Sequence, residues 1–187
     1  SPHKIILNGE DQKDCFIKNL YWPKKLITVK PSVRFFKAKN NNMSNKIFLP
    51  LAIRNHKYLL NGFNDLIKLY KYNLRNFIIQ KHPHSINSIN IINFEKKLKK
   101  LISSNKKIKN NKNQKNLSIF IGSSGAIIEA LERGLNVFQV CESPIIETYS
   151  NKLLKNILIQ KLNNNVFSYK LKNKGKIVKL GKFNDHQ

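Results

Sequence analysis

Two polar turns, each following an apolar run, carry the residues of this chain best suited to chemistry. One is Gly122-Ser123-Ser124-Gly125, set between the run LSIFI (117–121) and a helical repeat with Ile127, Ile128 and Leu131 on one face. A strand that turns through small residues into a helix start aims free backbone N–H groups, and the positive end of the helix dipole, beyond the sheet edge. Glycine permits close approach of the backbone, and the two serine hydroxyls add hydrogen bonds. Such a turn is an anion cradle, most often for phosphate. The same residues also fit an ordinary tight turn with Ser124 capping the helix. The other turn is His82-Pro83, directly after NFIIQ (76–80). Proline fixes the turn and keeps the histidine out of helical geometry. An imidazole held there can donate to a phosphate oxygen, and a neighbouring phosphate would raise its pKa. Taken alone, His82 reads more simply as the cap of a turn.

Glu129 lies five residues after Ser124, where a carboxylate can accept hydrogen bonds from vicinal hydroxyls such as those of a ribose. Arg133 at i+4 offers a simpler partner, an exposed pair worth about 0.2–0.5 kcal/mol. Glu132 is expected to face solvent. His82 and His84 have no carboxylate or cysteine at ligand spacing, so the sequence suggests no metal site. The serine turn is not a G-x-S-x-G nucleophile elbow, and neither a G-x-G-x-x-G fingerprint nor a phosphate-loop lysine is present.

The elements that must position these residues alternate along the chain. Strands are expected at 4–8, 26–29, 46–52 (with Pro50 marking an end or an edge), 76–80, 117–121 and 136–140. Asp11 can cap a short helix through Cys15, Phe16 and Leu20. Asn55 can cap the clearest amphipathic helix, which runs to about Tyr72 with Leu59, Phe63, Leu66, Ile67 and Tyr70 as its core stripe. A further helix places Phe94, Leu98, Leu101 and Ile102 on one side. Residues 151–162 read as helical, and 166–170 with 176–180 as a terminal hairpin or edge. Residues 36–46 and 103–116 are polar, Lys/Asn-rich and expected to be mobile loops, with a short strand near Ile108. This alternation predicts one α/β domain over residues 1–187, a Rossmann-like doubly wound parallel sheet with helices on both faces. Ligands of such sheets bind beyond the carboxyl ends of the strands. The turns at Gly9–Asp11, Lys81–Ser85 and Gly122–Gly125 all follow expected strands and would share that edge, which brings Gly9 and Glu10 into the candidate site.

A chain of 187 residues can bury roughly 70% of its unfolded surface as one such domain. The net charge of +25 arises almost entirely from lysine, with arginine only at Arg34, Arg54, Arg75 and Arg133. Lys, Asn and Ile share A/T-rich codons, base readout favours Arg, and no aromatic–basic RNA-binding signature is present. A solvated lysine surface that attracts anionic lipid or anionic substrates is therefore preferred to a nucleic-acid interface. Cys15 and Cys141 suit reduced thiols in a cytoplasmic protein, at most peripheral at the inner face of the plasma membrane. No run has the length of a membrane span, and no signal peptide is seen; the chain begins Ser-Pro-His and so reads as part of something longer.

On His82-Pro83, Ser123-Ser124 and Gly125–Glu129, with 41 residues from His82 to Ser123, the chain resembles the C-terminal, donor-binding domain of a GT-B glycosyltransferase. The likeness is to bacterial surface-carbohydrate enzymes with HP and SS motifs, the sialyltransferases and polysialyltransferases that use CMP-activated sugars; it extends over residues 4–150. The resemblance implies that His82 is the catalytic residue. With Pro83, Gly122, Ser123, Ser124 and Gly125 it would hold the donor phosphate, and Glu129 the ribose. It also implies a CMP-sugar donor, with a UDP-sugar the alternative, a surface polysaccharide (capsule or lipopolysaccharide) or lipid-linked glycan as acceptor, and no metal cofactor. Teichoic-acid enzymes using CDP-glycerol or CDP-ribitol carry a related histidine and serine pair. A basic module binding RNA or membrane is the reading from another class. Departures from the family pattern are Gln80, where a basic residue usually stands two before the histidine, with Lys81 displaced by one, and Asn136 in place of a proline. The general base usually lies in an N-terminal domain expected outside this sequence, and neither Glu10 nor Asp11 matches it convincingly.

Overall fold

The computed structural model describes residues 3–36, 42–70, 74–105 and 116–182. The elements within them are β1 (Ile5–Leu7), α1 (Glu10–Asn19), β2 (Ile27–Val29), β3 (Ser32–Phe36), β4 (Lys46–Phe48), α2 (His56–Tyr70), β5 (Ile78–Gln80) and α3 (Ile89–Ser104). Then follow β6 (Leu117–Ile121), α4 (Ala126–Glu132), β7 (Asn136–Val140), α5 (Pro144–Glu147), β8 (Ile157–Lys161), β9 (Val166–Leu171) and β10 (Leu180–Gly181). The sequence reading at Ile108 and most of the two polar loops fall outside the described residues.

A six-stranded sheet in the order β5-β4-β6-β7-β9-β8 organises this mixed α/β fold. Its first four strands are parallel, with Ile47 opposite both Ile79 and Ile119, and Ile119 opposite Phe138. All five residues of β6 are buried, as suits a central strand covered on both faces. Side chains alternate between two cores. Ile47, Ile119 and Phe138 meet Leu59, Phe63, Leu66 and Ile67 of α2 and Ile91, Phe94 and Leu98 of α3. On the opposite face Phe120, Val137, Phe167 and Tyr169 pack on Ile127, Ala130 and Leu131 of α4.

Local chemistry explains the helix starts. Asn55 Oδ1 accepts from the Tyr58 amide at 3.0 Å, the expected cap of α2. Ser88 caps α3 through the Ile91 amide. The expected cap of α1 by Asp11 does not occur. Gly9 is the cap residue, and Asp11 is buried inside the first turn, where its carboxylate accepts from the Asn156 amide at 2.9 Å and from Asn156 Nδ2 at 2.6 Å.

The C-terminal third differs from the sequence reading. Residues 157–161, expected in a helix, form β8, antiparallel to β9 with Ile157 opposite Leu171. Their apolar spacing fits either period, but the free edge of β9 is available, and a pleated surface accommodates β-branched Ile157 and Ile159 well. Residues 176–180 do not form a hairpin with β9. Instead β10 pairs in parallel with β3, Leu180 opposite Ser32. β1 pairs with β2, apart from the six-stranded sheet. The turn after β1 therefore does not extend the edge formed by β5, β4 and β6. Among the described residues no helix is long and apolar enough to cross a membrane.

Candidate functional site

Because β5, β4, β6 and β7 run in parallel, the loops that leave them emerge at one edge. The serine turn leaves β6 at that edge. Gly122 has φ 68°, a conformation open to glycine and strained for other residues. Its amide donates to the Val140 carbonyl at 2.7 Å, and its own carbonyl accepts from Gln139 Nε2 at 2.9 Å. Ser123 is exposed. Ser124 Oγ accepts from the Ala126 amide at 3.3 Å, so this hydroxyl supports the first turn of α4 while remaining half-buried. The Ser124 carbonyl accepts from the Tyr149 hydroxyl at 3.3 Å. Burial pushes the Tyr149 pKa up to about 12, which keeps that donor protonated.

The histidine loop leaves β5 two strands away. His82 caps a single 3-10 turn, Pro83–Ser85, with its Nδ1 accepting from the His84 amide at 3.3 Å. A neutral imidazole that accepts at Nδ1 carries its proton on Nε2, and so can donate outward from the turn. Pro83 is exposed and His82 half-exposed. The capping role expected of a lone loop histidine is thus present, and it also fixes the tautomer.

Pro50, two residues beyond β4, joins the two loops. Ser85 Oγ donates to the Pro50 carbonyl at 3.3 Å, and a β-carbon on Gly122 would stand 3.3 Å from the Pro50 ring. The His82 loop and the serine turn therefore flank one proline on one edge of the sheet.

Glu129 has the simpler partner. Its Oε1 accepts from Arg133 Nη2 at 2.7 Å and Nε at 3.0 Å, and at 13% and 15% side-chain exposure the pair is largely buried, not the solvent-exposed contact expected. Gly9 and Glu10 pack elsewhere. A β-carbon on Gly9 would collide with the Ile177 carbonyl, and Glu10 lies 3.7 Å from Lys179. Glu132, expected in solvent, is 5% exposed and accepts from the backbone amides of Gly175, Ile177 and Val178. It sits at the far end of α4 from the serine turn, so the segment against Gly9 is anchored away from the His82–Ser124 edge.

Three residues not singled out from the sequence shape this edge. Arg34 of β3 places Nη2 3.6 Å from where a Gly125 β-carbon would be, setting an exposed guanidinium beside the start of α4. Gln139 is fully buried, bonded to the Gly122 and Glu147 carbonyls and to the Tyr169 hydroxyl at 2.8 Å. A glutamine inside the otherwise apolar NVFQV was the available signal. Glu142, just after β7, accepts from the backbone amides of Arg54 and Asn55 and so ties the β7 loop to the start of α2. Glu147 in turn accepts from the Glu142 and Ser143 amides at 3.0 Å each. Cys141 is buried beside it, and burial together with the Glu147 carboxylate pushes this thiol up to about 12. Neither Cys15 nor Cys141 is in a disulfide.

The edge thus offers an imidazole N–H, two serine hydroxyls, turn amides and a guanidinium, a donor set suited to an anion of several oxygens. No protein-family model, no curated protein and no solved structure matches the chain.

Proposed function

We propose that this chain is the Rossmann-like, doubly wound donor-binding domain of a GT-B type glycosyltransferase. It binds a nucleotide-activated sugar, preferably a CMP-sugar, for transfer to a surface polysaccharide or lipid-linked glycan on the cytoplasmic side of the membrane. The observation that carries this reading is the meeting of the His82 loop and the Gly122–Gly125 turn on either side of Pro50. On this reading the His82 Nε2–H, the Ser123 and Ser124 hydroxyls and the turn amides donate to the donor phosphate. Bond cleavage between phosphate oxygen and anomeric carbon leaves negative charge on that oxygen, and preorganised donors stabilise it as it forms. The chemistry is electrostatic stabilisation of a leaving group, with His82 the donor whose protonation matters most. Glu129 would meet the ribose by exchanging part of its hold on Arg133.

Thermal denaturation with and without CMP and UDP tests the reading. CMP should raise the melting temperature, and His82→Ala and Ser123→Ala should each remove the shift while leaving the nucleotide-free transition in place. No shift from either nucleotide would overturn it.

A further inference from the structure

The loops at the carboxyl edge are stitched into one rim. Ser85 Oγ binds the Pro50 carbonyl, Asn90 Nδ2 donates to the Ile53 carbonyl at 2.6 Å, and Glu142 caps Arg54 and Asn55. The loops after β5, β4 and β7 are thereby held together, and on them and at the start of α3 stand five exposed aliphatic residues. These are Leu51, Ile86, Ile89, Ile145 and Ile146, the last two 97% and 82% exposed on the one-turn helix α5. Scattered exposed hydrophobics are ordinary, but five on one braced rim are not.

Basic side chains stand among them. Arg54, on the loop after β4, and Lys57, in the first turn of α2, are exposed. The nearby carboxylates are already engaged, Glu142 and Glu147 by backbone amides and Glu95 by Lys99 at 2.6 Å and Lys81 at 3.5 Å. The rim therefore presents aliphatic tips beside the exposed cations of Arg54 and Lys57, with the carboxylates of Glu142 and Glu147 turned onto backbone amides of the same rim.

We infer that this rim docks on an anionic lipid bilayer, with Ile145 and Ile146 entering the acyl boundary and the basic residues meeting anionic headgroups. Tips projecting from three separate loops need a phase that flows around them, whereas a protein partner requires a matched, continuous surface. A chain of net charge +25 is drawn to such a surface before any tip inserts. The inference does not rest on the nucleotide reading, since it uses neither His82 nor the serine turn, though the rim shares the loop after β5 with that site.

Sedimentation of the full chain with vesicles of phosphatidylglycerol and phosphatidylcholine, and of phosphatidylcholine alone, tests it. The chain should pellet with the anionic vesicles. The double variant Ile145→Asp, Ile146→Asp should lose at least about tenfold in partitioning. Leu158→Asp, at a half-exposed position on β8, should keep the binding of the parent. Failure of the parent to bind, or equal binding by the double variant, would overturn the proposal, the second outcome placing attraction on lysines elsewhere. A dimer that the double variant converts to monomer would overturn it in favour of a second copy of this chain. CMP-induced stabilisation of the double variant should match the parent, which separates this test from the donor reading.

Discussion

Gly122 packs against Pro50 closely enough that a β-carbon there would stand 3.3 Å from the proline ring, a few tenths of an ångström inside ordinary contact. The contact couples the end of β6 to the end of β4, so the height of the serine turn above the sheet is set by a neighbouring strand.

Gly122→Ala is expected to lower stability by about 1–3 kcal/mol, since a left-handed φ costs an alanine about 1–2 kcal/mol and the added carbon must displace Pro50. Urea unfolding would measure it. If the donor reading holds, the variant also loses CMP-induced stabilisation, because Ser123 and Ser124 move with the turn.

Arg34→Ala separates binding from folding. The side chain is exposed, so unfolding should change by no more than about 0.5 kcal/mol. If the donor reading holds, CMP affinity, measured by titration calorimetry, should fall by about tenfold, the scale of one charge-assisted hydrogen bond. An unchanged affinity would remove Arg34 from the site.

Glu132→Gln keeps the shape of the side chain but turns an acceptor of three amide donors into a group with one carbonyl oxygen and a competing NH2. A loss of about 1–3 kcal/mol follows from one buried donor left unpaired. Hydrogen exchange should quicken at Gly175, Ile177 and Val178 before it does so in β6.

The chain should weaken in alkali. Cys141 and Tyr149 each hold a pKa near 12 when folded, raised from 9.0 and 10.0 by burial. Above pH 9 the unfolded chain releases these protons while the folded one retains them. Stability is thus fully present below pH 9 and falls between pH 9 and about 12. Urea midpoints across that range would record the decline. At pH 8 iodoacetamide should modify Cys15 in the native protein and spare Cys141.

Where local pattern and tertiary context agreed, the sequence was easy to read. β6 and β7 fall on the residues expected, because continuous apolar runs bounded by Gly and Asn admit few alternatives. The stripe from Leu59 to Ile67 predicted α2 for the same reason. Reading failed where a long-range partner decided. Asp11 has the look of a helix cap, yet Asn156 claims it from 145 positions away. Residues 157–161 have a spacing compatible with a helix, but an open strand edge recruits them. Arg34 was invisible as part of the candidate site because its neighbour, Gly125, is brought to it only by the fold. The turns at His82 and Ser124 were legible because small and ring-constrained residues after strands advertise their geometry locally.

The segment from Gly175 to Gly181 binds both the β1–α1 region and β3: Lys176 and Lys179 meet Asp11 and Asn8 through the backbone, and Leu180 lies beside Ser32. A ribosome delivers these partners in the wrong order, with the early strands emerging long before the stretch that secures them. The β1–α1–β2 region must therefore stay loosely held during synthesis and lock only once Gly175–Gly181 has emerged.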